Sequence, residues 1–259
     1  MLSIACLIEY DGTNYAGWQI QNNADTIQNE MQIAWKKLTS QSVNFIGAGR
    51  TDAGVHSKGQ VASAKIDEIL VPENKIAIAL NSKLPNDIKI KKAKYIDFAF
   101  HPRFDAIARE YNYYLGKDVS VFQRNYITDL KFNINESKLF EIASIFLGAH
   151  NFTTFSKINE DIKNNNCIIS KSEWEKLPSD IYKYTIISNH FLYGMIRALV
   201  GVMIDYARGK RTKEDIRNSF EKENRALASG FAFAKGLFLK RIYYAEEIEE
   251  KLGFYSTIQ

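Results

Sequence analysis

The sequence predicts an α+β fold made of two related, ferredoxin-like halves, and three observations predict it. Strand-like and helix-like segments along residues 3–96 follow the order β-α-β-β-α-β, the split βαβ arrangement. Residues 109–244 echo part of that order. The chain has 259 residues, 46% of them apolar, with 16 Phe and 14 Tyr, which suits one large domain or two fused smaller ones with a proper core. We expect a first half over residues 1–105, a second over 106–259 and a hinge within 100–120. The expected sheet is largely antiparallel, with helices on one side.

In order along the chain, residues 3–10 are apolar on both alternating faces, as in a central strand, and Asp11 and Gly12 end them with a turn signal. A helix is expected from Asp25, which can cap it, with Gln28 three residues later and Ile27, Met31, Ala34 and Leu38 at helical spacing. Residues 43–46 read as a short strand, 61–66 as another, 72–80 as a helix, 84–87 as a turn and 88–96 as a strand with a basic face. In the second half, 109–115 is an aromatic strand and 136–146 is helical. Residues 167–174 and 182–190 pair as a hairpin, with Tyr182, Tyr184, Ile186 and Ser188 on one face. Residues 191–207 form an apolar helix, with Leu192, Met195, Ile196, Leu199, Met203 and Tyr206 on one side. A helix over 213–220 headed by Thr212 and a strand over 237–244 complete the chain. The Asn-rich stretch 159–166 reads as a surface loop.

Composition narrows the function. Only four prolines and no long biased run argue against disorder. Cys6 and Cys167, far apart, make neither a disulfide framework nor a zinc signature. A charged leader with an apolar core and a small-residue cleavage site is lacking, and no apolar stretch could span a bilayer, so we expect a cytoplasmic protein without membrane attachment. The net charge of +4 hints only weakly at a polyanionic partner. Two basic runs say more: Arg197, Arg208, Lys210, Arg211 and Lys213 against Asp205 alone, and Lys83, Lys89, Lys91, Lys92 and Lys94. Taken singly, each run reads as a solvated helix end or strand face.

The informative segment is GAGRTDAGVHSKGQV, residues 47–61. Glycines at 47, 49 and 54 imply unusual backbone dihedrals or a surface that something approaches closely. Between them sit Arg50, Thr51 and Asp52, with His56 and Gln60 following. The glycine spacing fits neither a dinucleotide fingerprint nor a P-loop. A metal would need more ligands than the four histidines, 56, 101, 150 and 190, provide in any ligand motif. A nucleophile elbow is missing too. The residues by themselves give a functional loop with no named reaction.

The string GRTDAGVH, residues 49–56, is similar to the signature of the TruA family of pseudouridine synthases. Other segments agree in order: IEYDG at 8–12 with Tyr15 and GWQ at 17–19, TIQ at 26–28, LNSKLPNDI at 80–88, FHPRF at 100–104 and REYNY at 109–113. GAHNFTTF at 148–155, FLYGMIRALVG at 191–201 and GLFL at 236–239 complete the set. The resemblance runs from residue 8 to about 244. The chain departs from the family pattern at Gly194 and Ala198, where His and Asn are usual, at Cys167, where Arg is common, and at Phe233 and Ala234, where a Pro is usual. These departures bear on tRNA contacts and on the choice of target rather than on the reaction.

The resemblance implies isomerisation of uridine to pseudouridine in the anticodon stem-loop of tRNA, at nucleotides 38 to 40, in an RNA cleft between the halves of a homodimeric enzyme. It implies no cofactor and no metal. The implied catalytic residues are Asp52, Tyr111 and Arg197. Asp52 either attacks C1′ or removes a ribose proton. Arg197 is the implied cationic neighbour that keeps Asp52 charged. Tyr111 is the implied stacking partner of the extruded uracil. Arg50 either fills the space left by the flipped base or holds a phosphate. His56, Lys58 and Gln60 line the RNA cleft, or Gln60 is a structural residue at a strand edge. Two competing classes remain: a catalytically silent RNA-binding or tRNA-folding module on the same scaffold, which would tolerate loss of Asp52, and a small-molecule enzyme, which would show no RNA affinity.

Overall fold

The computed structural model describes residues 2–157, 165–222, 224 and 228–255. The fold is mixed α+β, with six α-helices among the described residues and largely antiparallel strand pairing. The chain forms two compact units, Met1–Ala108 with Phe238–Gln259, and Arg109–Leu237. The C-terminal segment, expected with the second half, thus belongs to the first unit.

The first unit follows β1 (Ser3–Tyr10), α1 (Ile27–Thr39), β2 (Ile46–Gly47), β3 (His56–Lys65), α2 (Glu73–Asn81) and β4 (Ile88–Ile96). β1 lies between β3 and β4 and is antiparallel to both, with Ala5 facing Ser63 on one side and Lys94 on the other. That central place explains its two apolar faces. Ile4, Cys6 and Ile8 are fully buried against Ile27, Met31 and Trp35 of α1 and Ile76 and Leu80 of α2, while Ala5 and Leu7 on the opposite face are buried as well. Burying each such large side chain stabilises the fold by about 1.5–3 kcal/mol. The other edge of β3 is shared: β2 pairs antiparallel at Ser63 and Ala62, and β10 (Leu237–Tyr244) runs parallel at His56 and Ser57.

Several boundaries differ from expectation for identifiable reasons. Helix α1 is capped by Thr26, not Asp25. The Thr26 hydroxyl accepts from Asn29 N–H, and the Gln28 side chain, expected to complete a capping box, instead accepts from Ile20 N–H and donates to the Phe45 carbonyl. Thr26→Ala should therefore cost about 1 kcal/mol in chemical denaturation, and Asp25→Ala less than about 0.5 kcal/mol; equal costs would contradict this cap. The strand expected at 43–46 is only Ile46–Gly47. The strand expected at 61–66 starts at His56, because β10 supplies backbone partners at its beginning.

The basic face of β4 has structural employment. Lys92 and Lys94 donate to the carbonyls of Gly253 and Lys251 at the end of α6 (Glu246–Leu252), a helix not foreseen, and Lys91 pairs with Glu9. Lysines at a helix C-terminus satisfy orphan carbonyls and favour the helix dipole.

The second unit contains β5 (Ala106–Gly116), β6 (Thr128–Asp129), α3 (Glu136–Ile142), β7 (Gly148–Asn151), β8 (Asn166–Leu177), β9 (Ile181–Ser188), α4 (Met195–Ala207) and α5 (Lys213–Glu221). Its strands order β5-β9-β8-β7, all antiparallel, with β6 parallel to β5. The β8–β9 hairpin appears as expected, with Tyr182, Tyr184, Ile186 and Ser188 buried on the inner face. Helix α4 begins at Met195 rather than 191, because Gly194 adopts φ 72°, a left-handed conformation that interrupts the helix. It is buried nearly all round rather than along one stripe. The expected loop at 159–166 lies outside the described residues up to 164, and Asn166 already begins β8.

The second basic run is held by individual partners. Arg208 stacks 3.7 Å from the Phe132 ring, Arg211 donates to the Ser229 hydroxyl, and Lys213 pairs with Glu141.

Candidate active site

In the first unit, the loop between β2 and β3 carries Asp52 and is locked to the loop that follows β1. Tyr10, last residue of β1, places its hydroxyl 2.8 Å from Thr51 Oγ1. Trp18 N–H donates to the Thr51 carbonyl at 3.1 Å, and Gly54 N–H donates to the Tyr15 carbonyl at 3.2 Å. Bonds on both sides of Asp52 therefore run to the same neighbouring segment. Val55 N–H closes the turn on the Asp52 carbonyl at 3.1 Å, and Gly54 takes φ 74°.

Two glycines make this approach possible. A Cβ on Gly12 would stand 2.0 Å from the Val55 carbonyl oxygen, and one on Gly17 2.3 Å from that of Thr51. Gly17 also has φ 100°. Close backbone contact without side chains is what glycine uniquely allows. Asp52 itself is partly exposed on this held backbone. A rigid scaffold that presents a part-exposed carboxylate is suited to acid, base or nucleophile chemistry.

The remaining sequence-chosen residues of this unit divide. Arg50 is exposed. Lys58 is exposed, with its ammonium 5.2 Å from the Phe238 ring. Gln60 is fully buried, and its amide reads Gly49 as a strand would, accepting from the Gly49 N–H at 3.3 Å and donating to the Gly49 carbonyl at 2.7 Å. His56 is 1% exposed and stacks on Phe238 at 4.6 Å. Its Nδ1 accepts from Gly12 N–H at 3.0 Å and lies 3.1 Å from Asp11 Oδ1, an oxygen that already takes the N–H and hydroxyl of Thr13. As placed, His56 and Gln60 brace the loop from within.

In the second unit, Tyr111 on β5 faces Ile186 of β9 and is 7% exposed, with its ring edge-on to Phe191 at 5.2 Å. Its neighbour Tyr113 is fully buried, with its hydroxyl on Thr128 Oγ1 and the Phe233 carbonyl, and burial pushes that phenol well above its usual range. Two residues apart on one strand, Tyr111 and Tyr113 share a face, and both are buried.

Arg197, in the first turn of α4, is partly buried. Its Nε donates to the Ala232 carbonyl at 2.8 Å, Ala232 N–H returns to the Arg197 carbonyl at 3.0 Å, and the guanidinium lies 5.6 Å from the Phe231 ring. Gly201 lets this strap approach, since a Cβ there would meet the Gly230 oxygen at 2.1 Å. The strap's partnership with Arg197 has no local sequence signal. Cys167, one of the departures, is buried with its thiol pushed up to about 12, and its Sγ lies 3.5 Å from His190 Nε2. Burial and the nearby Arg109 hold His190 below its usual range.

Among the described residues no group of three or more His, Cys, Asp or Glu is placed to hold a metal, and no helix is long and apolar enough to cross a membrane.

A family model described as tRNA pseudouridine synthase matches residues 6–105 and 142–245. The chain is 37% identical over 256 residues to "tRNA pseudouridine synthase A" of Bacteroides thetaiotaomicron, covering 97% of this chain and 95% of that protein. It is 38% identical to "tRNA pseudouridine synthase A 1" of Protochlamydia amoebophila over 93% of this chain and 95% of that protein. With "tRNA pseudouridine synthase A" of Acetivibrio thermocellus it shares 37% over 94% of this chain and all of that protein. Matched across both units and along nearly its whole length, the chain belongs to the TruA-type tRNA pseudouridine synthases and is an isomerase.

Proposed function

We propose that the chain converts uridine to pseudouridine in the anticodon arm of tRNA, at nucleotides 38 to 40, with Asp52 as the residue that acts on the ribose. The observation that carries this reading is the support of Asp52: a partly exposed carboxylate whose flanking residues are bonded to the 10–18 segment on both sides. In the proposed reaction the N1–C1′ bond of a flipped uridine breaks, the uracil turns, and C5 bonds to C1′ of the same ribose. The carboxylate either attacks C1′ or takes a ribose proton. Tyr111 stacks on the uracil, and Arg197 supplies positive charge for the reaction. Arg50 and Lys58, both exposed, contact the RNA. His56 and Gln60 act on substrate through the loop they brace.

Flipping a base costs a few kcal/mol of stacking, and phosphate contacts to exposed Lys and Arg offset it. The chemistry uses neither metal nor cofactor, and the enzyme works as a cytoplasmic homodimer. The order β4-β1-β3, with β2 on the far edge of β3, supports the ferredoxin-like description of the first half.

The test is a pseudouridine map of unmodified tRNA after incubation with the purified protein, with and without a chelator. The expected result is new pseudouridine within positions 38 to 40 in both samples. Modification confined to another arm would overturn the assignment of target, and loss of activity with chelator would overturn the metal-free reaction.

A further inference from the structure

Two cations and two aromatic rings gather at the start of α4. Tyr193 is 50% exposed, yet its backbone is fixed: its carbonyl accepts from Lys157 N–H at 2.9 Å. The Lys157 ammonium lies 4.4 Å from the Tyr193 ring centroid and donates to the Tyr193 hydroxyl at 3.2 Å. It is also 5.7 Å from the Phe231 ring, against which Arg197 lies at 5.6 Å. Gly194 makes the arrangement possible. Its φ of 72° turns the chain, and a Cβ there would stand 2.8 Å from the Phe231 ring. Where the resemblance expects a histidine, Phe231 occupies the room that glycine leaves.

Charge decides what such a cluster suits. Lys157 is exposed, and among the described residues no carboxylate lies within ion-pair distance of it. An ammonium and a guanidinium drawn to one ring repel each other, and an anion placed beside them relieves that repulsion. A half-exposed tyrosine next to the ammonium offers a stacking face of the kind that single-stranded nucleotides use.

We infer that Lys157, Tyr193 and Phe231 form a nucleotide subsite, in which Lys157 takes a backbone phosphate of the tRNA and Tyr193 stacks on the base of the same nucleotide. This is a nucleotide flanking the one on which Arg197 acts, so the inference rests on the catalytic reading of Arg197. Phe231 positions both cations and touches no RNA.

The experiment measures the tRNA dissociation constant of the full chain across a range of KCl concentrations, and the single-turnover rate at saturating tRNA. Lys157→Met should weaken binding about 5–10-fold and make the slope of log affinity against log salt shallower by about 0.7–0.9, the signature of one lost phosphate contact. Lys157→Arg should restore both. Tyr193→Ala should weaken binding about tenfold with the slope unchanged. All three should keep a saturated single-turnover rate within about threefold of wild type. Wild-type affinity and slope in Lys157→Met would overturn the subsite, as would a saturated rate lost in that variant and regained in Lys157→Arg with affinity unmoved. A failure of the Arg197 reading is separately visible, as an Arg197→Met variant with an undiminished saturated rate.

Discussion

Asp52→Asn abolishes pseudouridine formation while leaving tRNA binding and folding intact: this is the largest expected effect. The side chain keeps its shape but loses its charge, so it can neither attack C1′ nor remove a ribose proton. The neighbours that hold the loop bond through Thr51, Gly54 and the Asp52 carbonyl, which the substitution leaves in place. We expect kcat/KM to fall by more than about 10^3-fold, with the tRNA dissociation constant changed by less than about threefold. The check is pseudouridine formation in tRNA in single turnover, run beside binding and thermal melting. A variant that retained even a tenth of the wild-type rate would remove Asp52 from the chemistry. A variant that lost activity together with its melting transition would say nothing about chemistry, and Asp52→Ala and Asp52→Glu would then serve as the second and third measurements.

Gly17→Ala should have the next largest effect, and for a reason in backbone geometry alone. Gly17 sits at φ 100°, and a Cβ there would lie 2.3 Å from the Thr51 carbonyl oxygen, immediately before Asp52. Both the dihedral and the contact are forbidden to alanine, and together they cost about 2–5 kcal/mol if nothing moves. The cheaper response is for the 51–54 loop to shift away, which carries Asp52 with it. A shift of about 1 Å at a reacting group costs on the order of 10^2-fold in rate. We therefore expect kcat to fall about 100-fold, and the melting temperature to drop by a few degrees, about 2–4 °C per kcal/mol for a chain of this size. Unchanged kcat and melting temperature together would show that the Gly17–Thr51 approach has no part in placing Asp52.

The sequence by itself determined the class of the fold, because alternation and helical spacing are local properties. It placed β1 as a central strand from its two apolar faces, found the β8–β9 hairpin and the order of strands and helices over residues 3–96, and singled out the loop of Arg50 to His56 from its glycines. The TruA-type signature in that loop gave the family. The sequence could not say where elements begin when a distant partner decides it. β3 starts at His56 because β10 runs alongside it, nearly two hundred residues later in the chain. Helix α4 starts late because Gly194 turns left-handed beneath Phe231. Thr26 displaced Asp25 as the cap because Gln28 was drawn away to Phe45.

At the site, the residue types were legible but their surroundings were not. The string that names Asp52 does not reveal that Tyr10, Trp18, Gly12 and Gly17 hold its loop, since those contacts span about forty residues. Nor does it show that His56 and Gln60, which look like polar groups available to RNA, are enclosed, with their polar atoms turned onto Gly12 and Gly49. A buried polar side chain must be satisfied by whatever the fold brings to it, so only the tertiary structure decides whether such a residue faces a substrate or braces the loop that does.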